Sequence, residues 1–257
     1  MNPLAAIGAS TLSIFRLIGA AAIFATRALA AAGSPPFYID QIGRQMLRIG
    51  FFSLPVVGLT AVFIGAALAL NIYTGGARFN AEQFVPNIVV LGITRELGPV
   101  LAALMLAGRV SAAIAAEIGT MRVTEQIDAL KTLSTDPMRF LVAPRVLAAV
   151  VTLPLLVIVA DILGVMGGFL VSVWSLDFNP SVYLRNTIEF LEAADVGTGL
   201  IKAAVFGFLL AVMGCFHGDR SAGGARGVGI AATHAVVSAA VLIFAANYVM
   251  TALFVER

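Results

Sequence analysis

Long apolar stretches with almost no charge constrain this chain more than any other feature. The segment from Val146 to Leu176 contains one charged residue, Asp161, and it exceeds the ~20 residues that a helix needs to cross a bilayer. Lipid cannot hydrogen-bond a bare backbone, so such segments span as helices. With 60% hydrophobic and 12% charged residues overall, the sequence predicts that residues 1–257 form one all-α integral membrane domain.

Apolar runs and turn residues divide the chain into five predicted spans, at residues 51–73, 87–116, 146–176, 200–216 and 230–254. Pro55 is expected to kink the first span, and Gly98-Pro99 to tilt or break the second. Residues 177–199 are expected to form a loop with a short helix that begins at Asn179-Pro180 and stops at Gly197. The Gly-rich sequence GDRSAGGARGVG is expected to be a turn before the last span.

Residues 3–32 form a further apolar run that is interrupted by Arg16 and Arg27. Only ten uncharged residues separate these arginines, fewer than a span requires. Eleven positions at ~100° per residue bring both to within about 20° of each other on a helix, as a helix on a membrane surface requires. We expect an interfacial helix here, with a tilted sixth span as the alternative.

The distribution of Lys and Arg predicts the orientation of the chain, because cytoplasmic loops are enriched in both. With a cytoplasmic N-terminus, ten of them are inside, namely Arg16, Arg27, Arg44, Arg48, Arg122, Lys131, Arg139, Arg145, Arg220 and Arg226. Three are outside, namely Arg78, Arg185 and Arg257. This bias predicts that the N-terminus and residues 117–145 face the cytoplasm, while residues 177–199 and the C-terminus face the periplasm.

The stretch from Gly92 to Pro137 passes from an apolar span into a polar segment. Small residues recur every four positions along two ridges of the span, which permits close helix packing in lipid; the ridges are Gly108, Ala112, Ala116 and Ser111, Ala115, Gly119. Charge in a span costs about 2.5–3.5 kcal/mol at the bilayer centre. The charged residues here are therefore expected to face a cavity or an interface; they are Arg95, Glu96, Arg109 and Glu117.

The motif RELGPVLAALMLAGRVSAAIAAEIGTMRVTEQIDAL within this stretch resembles the signature of MlaE (YrbE) permeases, the membrane subunits of ABC-type lipid transporters. The resemblance implies a homodimer in the bacterial inner membrane that transports phospholipid or a related lipid. It also implies an ABC ATPase partner that binds ATP and magnesium, a periplasmic MCE-domain partner and, in some systems, a small cytoplasmic accessory subunit.

The polar segment 117–145 resembles the coupling helix that docks into the ATPase of such transporters. Ile127 and Leu130 fall on one helical face with Val123, while Glu125 and Asp128 share another. A solvated loop helix would show the same pattern. The residues expected to couple to the ATPase are Glu117, Arg122, Glu125, Ile127, Asp128 and Leu130.

Candidate residues of the lipid path come from the span charges and from the resemblance. Arg95 and Arg109 are fourteen residues apart, or about 40° on a regular helix, so they could flank one cavity that Glu96 or a phosphate neutralises. The alternative is a buried structural ion pair. The resemblance adds Leu68, Asn71 and Tyr73 to the cavity, and Asp161 and Lys202 are expected to be structural.

Two positions depart from the family pattern. Asn71 stands where relatives often carry glutamine, and Asn247 stands where they often carry an aspartate. Both asparagines retain hydrogen-bonding capacity, but Asn247 removes a possible intramembrane charge.

Catalytic and cofactor-binding motifs are absent from the sequence. It contains no GxxxxGK[ST], HExxH or GxSxG motif, and Cys215 is its single cysteine. His217 and His234 are isolated near span ends. A net charge of +2 gives no argument for nucleic acid. We therefore expect a transport subunit without enzymatic activity, and a passive channel or a membrane scaffold is the alternative.

Overall fold

The computed structural model describes residues 3–79 and 82–255, which contain helices and no strand. The described residues form eleven α-helices and six short segments of 3-10 or π helix. Their bounds are α1 Pro3–Ala32, α2 Ile39–Ile49, α3 Leu54–Gly76, α4 Val85–Gly92, α5 Gly98–Leu106, α6 Ala112–Val123, α7 Gln126–Thr132, α8 Ala143–Ser175, α9 Pro180–Phe190, α10 Ala193–Asp219 and α11 Gly224–Val255. The all-α prediction is confirmed.

Six helical stretches within the described residues are long and apolar enough to cross a membrane, at Thr11–Ala32, Ile39–Gly76, Val85–Val123, Met138–Ser175, Ala193–Asp219 and Gly224–Phe254. Five of them correspond to the predicted spans and begin earlier in the chain than predicted, while the one that begins at Met138 ends one residue sooner, at Ser175. The sixth is α1, which ends just before Gly33 as predicted. Because α1 satisfies the length and composition of a span, its placement in the interface stays a prediction.

The second span continues through Pro99, and two wide π turns are inserted into it. One π turn covers Ile93–Leu97, directly before Gly98-Pro99, and the other covers Ala107–Ser111. A wide turn accommodates the proline ring, which would clash with the preceding turn of a regular helix. The predicted break at Gly98-Pro99 does not occur, because the span stays helical there, and the predicted tilt stays a prediction. Pro55 lies in the first turn of α3, after a 3-10 turn.

Close backbone contacts at glycines hold the spans together. A Cβ atom added to Gly65 of α3 would lie 1.8 Å from the carbonyl oxygen of Gly164 in α8. One added to Gly207 of α10 would lie 2.5 Å from the carbonyl oxygen of Ala149. Small residues let helices approach closely where lipid offers no hydrophobic driving force. The bundle therefore packs α8 between α3 and α10.

The two small-residue ridges of the second span have different surroundings. Ser111 and Ala115 are fully buried, and their carbonyl oxygens lie 2.9 Å from Cβ atoms built on Gly214 and Gly218 of α10. Gly108 has nothing within 4 Å of such an atom. One ridge therefore packs inside the chain, while Gly108 faces outward.

The predicted loop at 177–199 is shorter than expected. Asn179 caps α9 as predicted, since its Oδ1 accepts from the backbone N–H of Ser181 at 3.0 Å. Gly197 does not end a helix, because a capping box between Glu192 and Asp195 has already started α10 at Ala193. The Gly-rich turn before the last span is likewise shorter, as α11 begins at Gly224.

Candidate functional site

A buried ammonium and a half-buried carboxylate meet between three spans. Lys202 of α10 is 2% exposed, and its Nζ lies 2.7 Å from Oε1 of Glu96 in the second span. Thr251 of α11 accepts from Lys202 at 2.8 Å and donates to Glu96 at 3.0 Å. The partner of Glu96 is thus Lys202, and the lysine is neutralised where lipid would otherwise surround it.

The position of Lys202 follows from Pro99. Proline has no backbone N–H, so the carbonyl four residues earlier, that of Arg95, loses the donor that a regular helix supplies. Lys202 Nζ donates to this carbonyl at 3.0 Å. One lysine therefore satisfies a backbone acceptor and a carboxylate together, which leaves neither unpaired in the membrane.

Two neighbours complete the cluster. Arg95 lies 3.0 Å from the carboxylate of Asp195, at the start of α10. Asn247 of α11 donates to the second oxygen of Glu96 at 3.0 Å. An aspartate at 247 would place a second carboxylate beside Glu96, whose ion-pair partner among the described residues is Lys202. The asparagine therefore keeps this pair electrically balanced.

An open cleft of about 740 Å³ lies beside this cluster. Its polar lining comes from Arg95, Glu96, Thr198, Lys202 and Thr251, and its apolar lining from Ile88, Leu91, Gly92 and Phe254. The lining thus combines fixed charge with hydrocarbon, as an amphiphilic ligand requires.

Arg109 belongs to a different place in the bundle. Its guanidinium donates to the hydroxyl of Ser53, and it lines a second cleft together with Arg48 and Glu117. The prediction that Arg95 and Arg109 flank one cavity is therefore wrong. Fourteen residues separate them by about 21 Å along the helix, and two π turns rotate their side chains out of the regular register.

The three residues added by resemblance lie on α3. Leu68 packs against Gly92, since a Cβ atom built there would lie 3.4 Å from its Cδ2. Asn71 is exposed, and its amide donates to the carbonyl of Ala67 at 2.9 Å. The ring of Tyr73 lies 6.0 Å from that of Phe178. Leu68 thus borders the residues of the cleft, whereas Asn71 and Tyr73 do not line it.

The polar segment contains the seven-residue helix α7, preceded by Glu125 in a left-handed conformation with φ of 60°. Ile127 is 2% exposed, and Leu130 packs against the core of the chain. Ile127 and Leu130, which were expected to couple to the ATPase, therefore face the bundle in this structure, because this side of α7 holds the segment to the chain. The exposed apolar residue is Leu133, at 75%.

Exposed charges cover the outer side of α7. Asp128 lies 2.9 Å from Lys131 and 3.1 Å from Arg122. The hydrogen bond from Lys131 and the charge of Arg122 lower the pKa of the Asp128 carboxyl, so this group stays ionised at neutral pH. Glu117 lies deeper, between Arg48 at 3.4 Å and Arg145 at 3.1 Å, and joins helices within the chain.

Sequence reasoning missed the central role of Lys202 and Thr251. Lys202 was expected to be structural, and its partners were not predicted. The available signal was the combination of a span lysine with a proline four residues after Arg95, since that proline leaves the carbonyl of Arg95 without its helical donor.

Comparisons with known proteins agree with the membrane architecture. The family model described as Permease MlaE matches residues 42–253. A probable ABC transporter permease protein of Rickettsia bellii is 54% identical over 99% of this chain and 98% of its own length. The intermembrane phospholipid transport system permease protein MlaE of Haemophilus influenzae is 32% identical over 98% of this chain and 97% of its own length.

Proposed function

The chain belongs to the MlaE permease family, and from this premise we propose that it forms the membrane pathway of an ATP-driven phospholipid transporter. As a family member it is a multi-pass membrane permease subunit. The named relative in Haemophilus influenzae transports phospholipid between membranes. The proposal extends that substrate to this chain.

The main support for a lipid substrate is the lining of the cleft beside Lys202. Its walls combine an ion pair, a threonine hydroxyl and apolar side chains. A phospholipid presents a charged head group and acyl chains, so its two parts match the two kinds of lining. Arg95 and Glu96 are the proposed head-group contacts, and Leu68 lies behind the apolar wall.

The proposed docking surface for the ATPase is the exposed side of α7, formed by Glu125, Asp128, Lys131 and Leu133. The sequence contains no phosphate-binding loop of its own, so ATP and magnesium would be bound by the partner. Leu133 supplies the apolar contact that Ile127 was expected to make, while the charges give a polar rim. The span Val85–Val123 leads directly from the cleft to this surface.

We propose a homodimer in the bacterial inner membrane, with α7 and the N-terminus in the cytoplasm and α9 in the periplasm, where an MCE-domain protein would bind. The positive-inside bias supports this orientation. The outward-facing Gly108 supports close contact with a second copy, as small residues do in membrane dimers. A small cytoplasmic accessory subunit is compatible with the same surface.

Charge reversal on α7 tests ATP coupling. The variant Glu125→Lys/Asp128→Lys is expected to lose co-purification of the ATPase and ATP-dependent lipid transfer between vesicles. Its fold is expected to persist, because exposed ion pairs contribute only about 0–1 kcal/mol. Glu189→Lys is the matched control, since it reverses an exposed, paired carboxylate at the opposite end of the bundle.

Two outcomes would reject the proposal. Full ATPase binding and transport in the α7 variant would show that coupling occurs elsewhere. Lipid or ion flux through the reconstituted chain without ATPase or ATP would indicate a passive channel.

A further inference from the structure

A second cleft lies at the α7 end of the bundle, away from the cleft beside Lys202. It has two adjoining parts, with volumes of about 550 and 630 Å³, that share Gln45, Arg48 and Glu117 in their linings. Residues of α2, the second span and the start of α8 form its walls. It is therefore built from three elements that are distant in sequence.

The lining of this basic cleft has an excess of positive charge. Arg44, Arg48, Arg109 and Arg145 line it, and Glu117 is its one acidic residue. Glu117 is shared between Arg48 and Arg145. Arg109 binds a neutral hydroxyl, that of Ser53. The cleft therefore has more cationic groups than its own acid can neutralise, and it suits a ligand with negative charge.

Arg145 distinguishes this cleft from an ordinary basic membrane surface. Its side chain is 5% exposed, and its Nε atom is buried without a hydrogen-bond partner among the described residues. A buried guanidinium N–H normally finds an acceptor. Arg145 also lines the polar part of the cleft, so its guanidinium places a buried positive charge beside that opening.

One side of the smaller part of the cleft is apolar. Ile49, Phe52, Val110 and Ile114 line it next to Arg48 and Arg109. Phe52 is 59% exposed, so this part opens at the outer surface of the bundle. A ligand here contacts arginines with one end and hydrocarbon with the other.

We propose that the basic cleft binds the phosphate head group of an anionic phospholipid from the leaflet on the α7 side. The arginines hold the phosphate, which they recognise through charge-assisted hydrogen bonds, and the acyl chain follows the apolar part past Phe52. This site is separate from the transport cleft and does not depend on the proposed transport function.

Site-specific cross-linking in nanodiscs of mixed phosphatidylglycerol and phosphatidylcholine tests this proposal. A benzophenone side chain at Phe52 is expected to capture phosphatidylglycerol above its share in the bilayer. The same probe at Phe63, which is 64% exposed on α3, is expected to capture both lipids in the bulk ratio. Each arginine near an anionic lipid surface should contribute a preference of roughly fivefold for phosphatidylglycerol over phosphatidylcholine.

Exposed arginines provide the variants. Arg44→Gln/Arg48→Gln should abolish the enrichment at Phe52, while Arg44→Lys/Arg48→Lys should keep most of it. Arg226→Gln removes one exposed arginine outside the cleft and should leave the phosphatidylglycerol enrichment at Phe52 unchanged. Equal lipid ratios at Phe52 and Phe63, or enrichment that survives the glutamine double variant, would overturn the proposal.

Calorimetric titration with inorganic phosphate separates a lipid from a free anion. The detergent-solubilised protein should show no saturable phosphate binding that depends on Arg44 and Arg48. Saturable binding that disappears in Arg44→Gln/Arg48→Gln would identify a free-phosphate site and reject the lipid.

Discussion

The pair formed by Glu96 and Lys202 should respond unequally to loss of either member. In Glu96→Gln, the ammonium of Lys202 stays 2% exposed without a carboxylate. Leaving a buried charge unpaired costs about 3–5 kcal/mol, and the remaining hydroxyl and carbonyl partners do not remove that charge. The glutamine variant should therefore be strongly destabilised.

Lys202→Met should cost less. Glu96 is 39% exposed where Lys202 is 2% exposed, so its charge is the less buried of the two, and Asn247 still donates to it. The main loss is the donor to the carbonyl of Arg95, and an unsatisfied buried acceptor costs about 1–3 kcal/mol. The double variant Glu96→Gln/Lys202→Met should be more stable than Glu96→Gln alone, because it no longer contains a stranded ammonium.

A second double-mutant cycle, between Pro99 and Lys202, isolates the cost of leaving the carbonyl of Arg95 without a donor. Pro99→Ala restores an N–H that can reach the carbonyl of Arg95. In the Pro99→Ala background, Lys202→Met should lower the free energy of unfolding by less than it does in the natural sequence. The coupling free energy between the two substitutions should be about 0.5–3 kcal/mol. No such rescue is expected from Pro154→Ala, which replaces a proline within α8.

Unfolding of the purified protein in mild detergent measures these differences, with lipid transfer assayed on the same samples. The reasoning is refuted if Lys202→Met is as damaging as Glu96→Gln, or if the two single costs simply add in the double variant. A functional role for Glu96 beyond the ion pair requires that Glu96→Gln/Lys202→Met recovers stability but not transport.

Two further predictions concern topology and packing. Single cysteines at Leu12 and Ser34, in a Cys215→Ala background, should label from the same side of the membrane if α1 lies in the interface, and labelling from opposite sides would establish a sixth span. Gly65→Ala should lower the unfolding free energy by about 1–3 kcal/mol, because its Cβ would meet the backbone of α8. Gly75→Ala, on the same helix α3 and with nothing within 4 Å of the added Cβ, is its control, and equal losses in both would contradict the packing argument.

The bundle of apolar helices could be predicted from the sequence because each span is long and almost free of charge. Span ends were less predictable, since small and polar residues continue helices once neighbouring helices cover them. Gly197 illustrates this point: it is a plausible stop in isolation, but the capping box of Glu192 and Asp195 had already started α10. The interaction between Glu192 and Asp195 therefore determines where α10 begins.

The candidate site was only partly predictable. Arg95, Glu96 and Arg109 were identified because charge in a span needs an explanation. Their grouping was wrong, since it assumed ~100° per residue along a regular helix, and the π turns at Ile93–Leu97 and Ala107–Ser111 break that register. Partners from α10 and α11 lie more than a hundred residues away, a separation that helical periodicity cannot bridge.

Each π turn of the second span contributes charged residues to one of the two clefts, which links the shape of this span to its chemistry. Arg95 and Glu96 lie in the first π turn, and Arg109 lies in the second. A π turn holds its backbone by a less regular ladder than an α-helix and often marks a functional position. Because α7 follows the same span after only two residues, a displacement of α7 by a bound ATPase would reach Arg109 before Glu96. The basic cleft is therefore the first charged site on the path of that displacement, and the cleft beside Lys202 is the second.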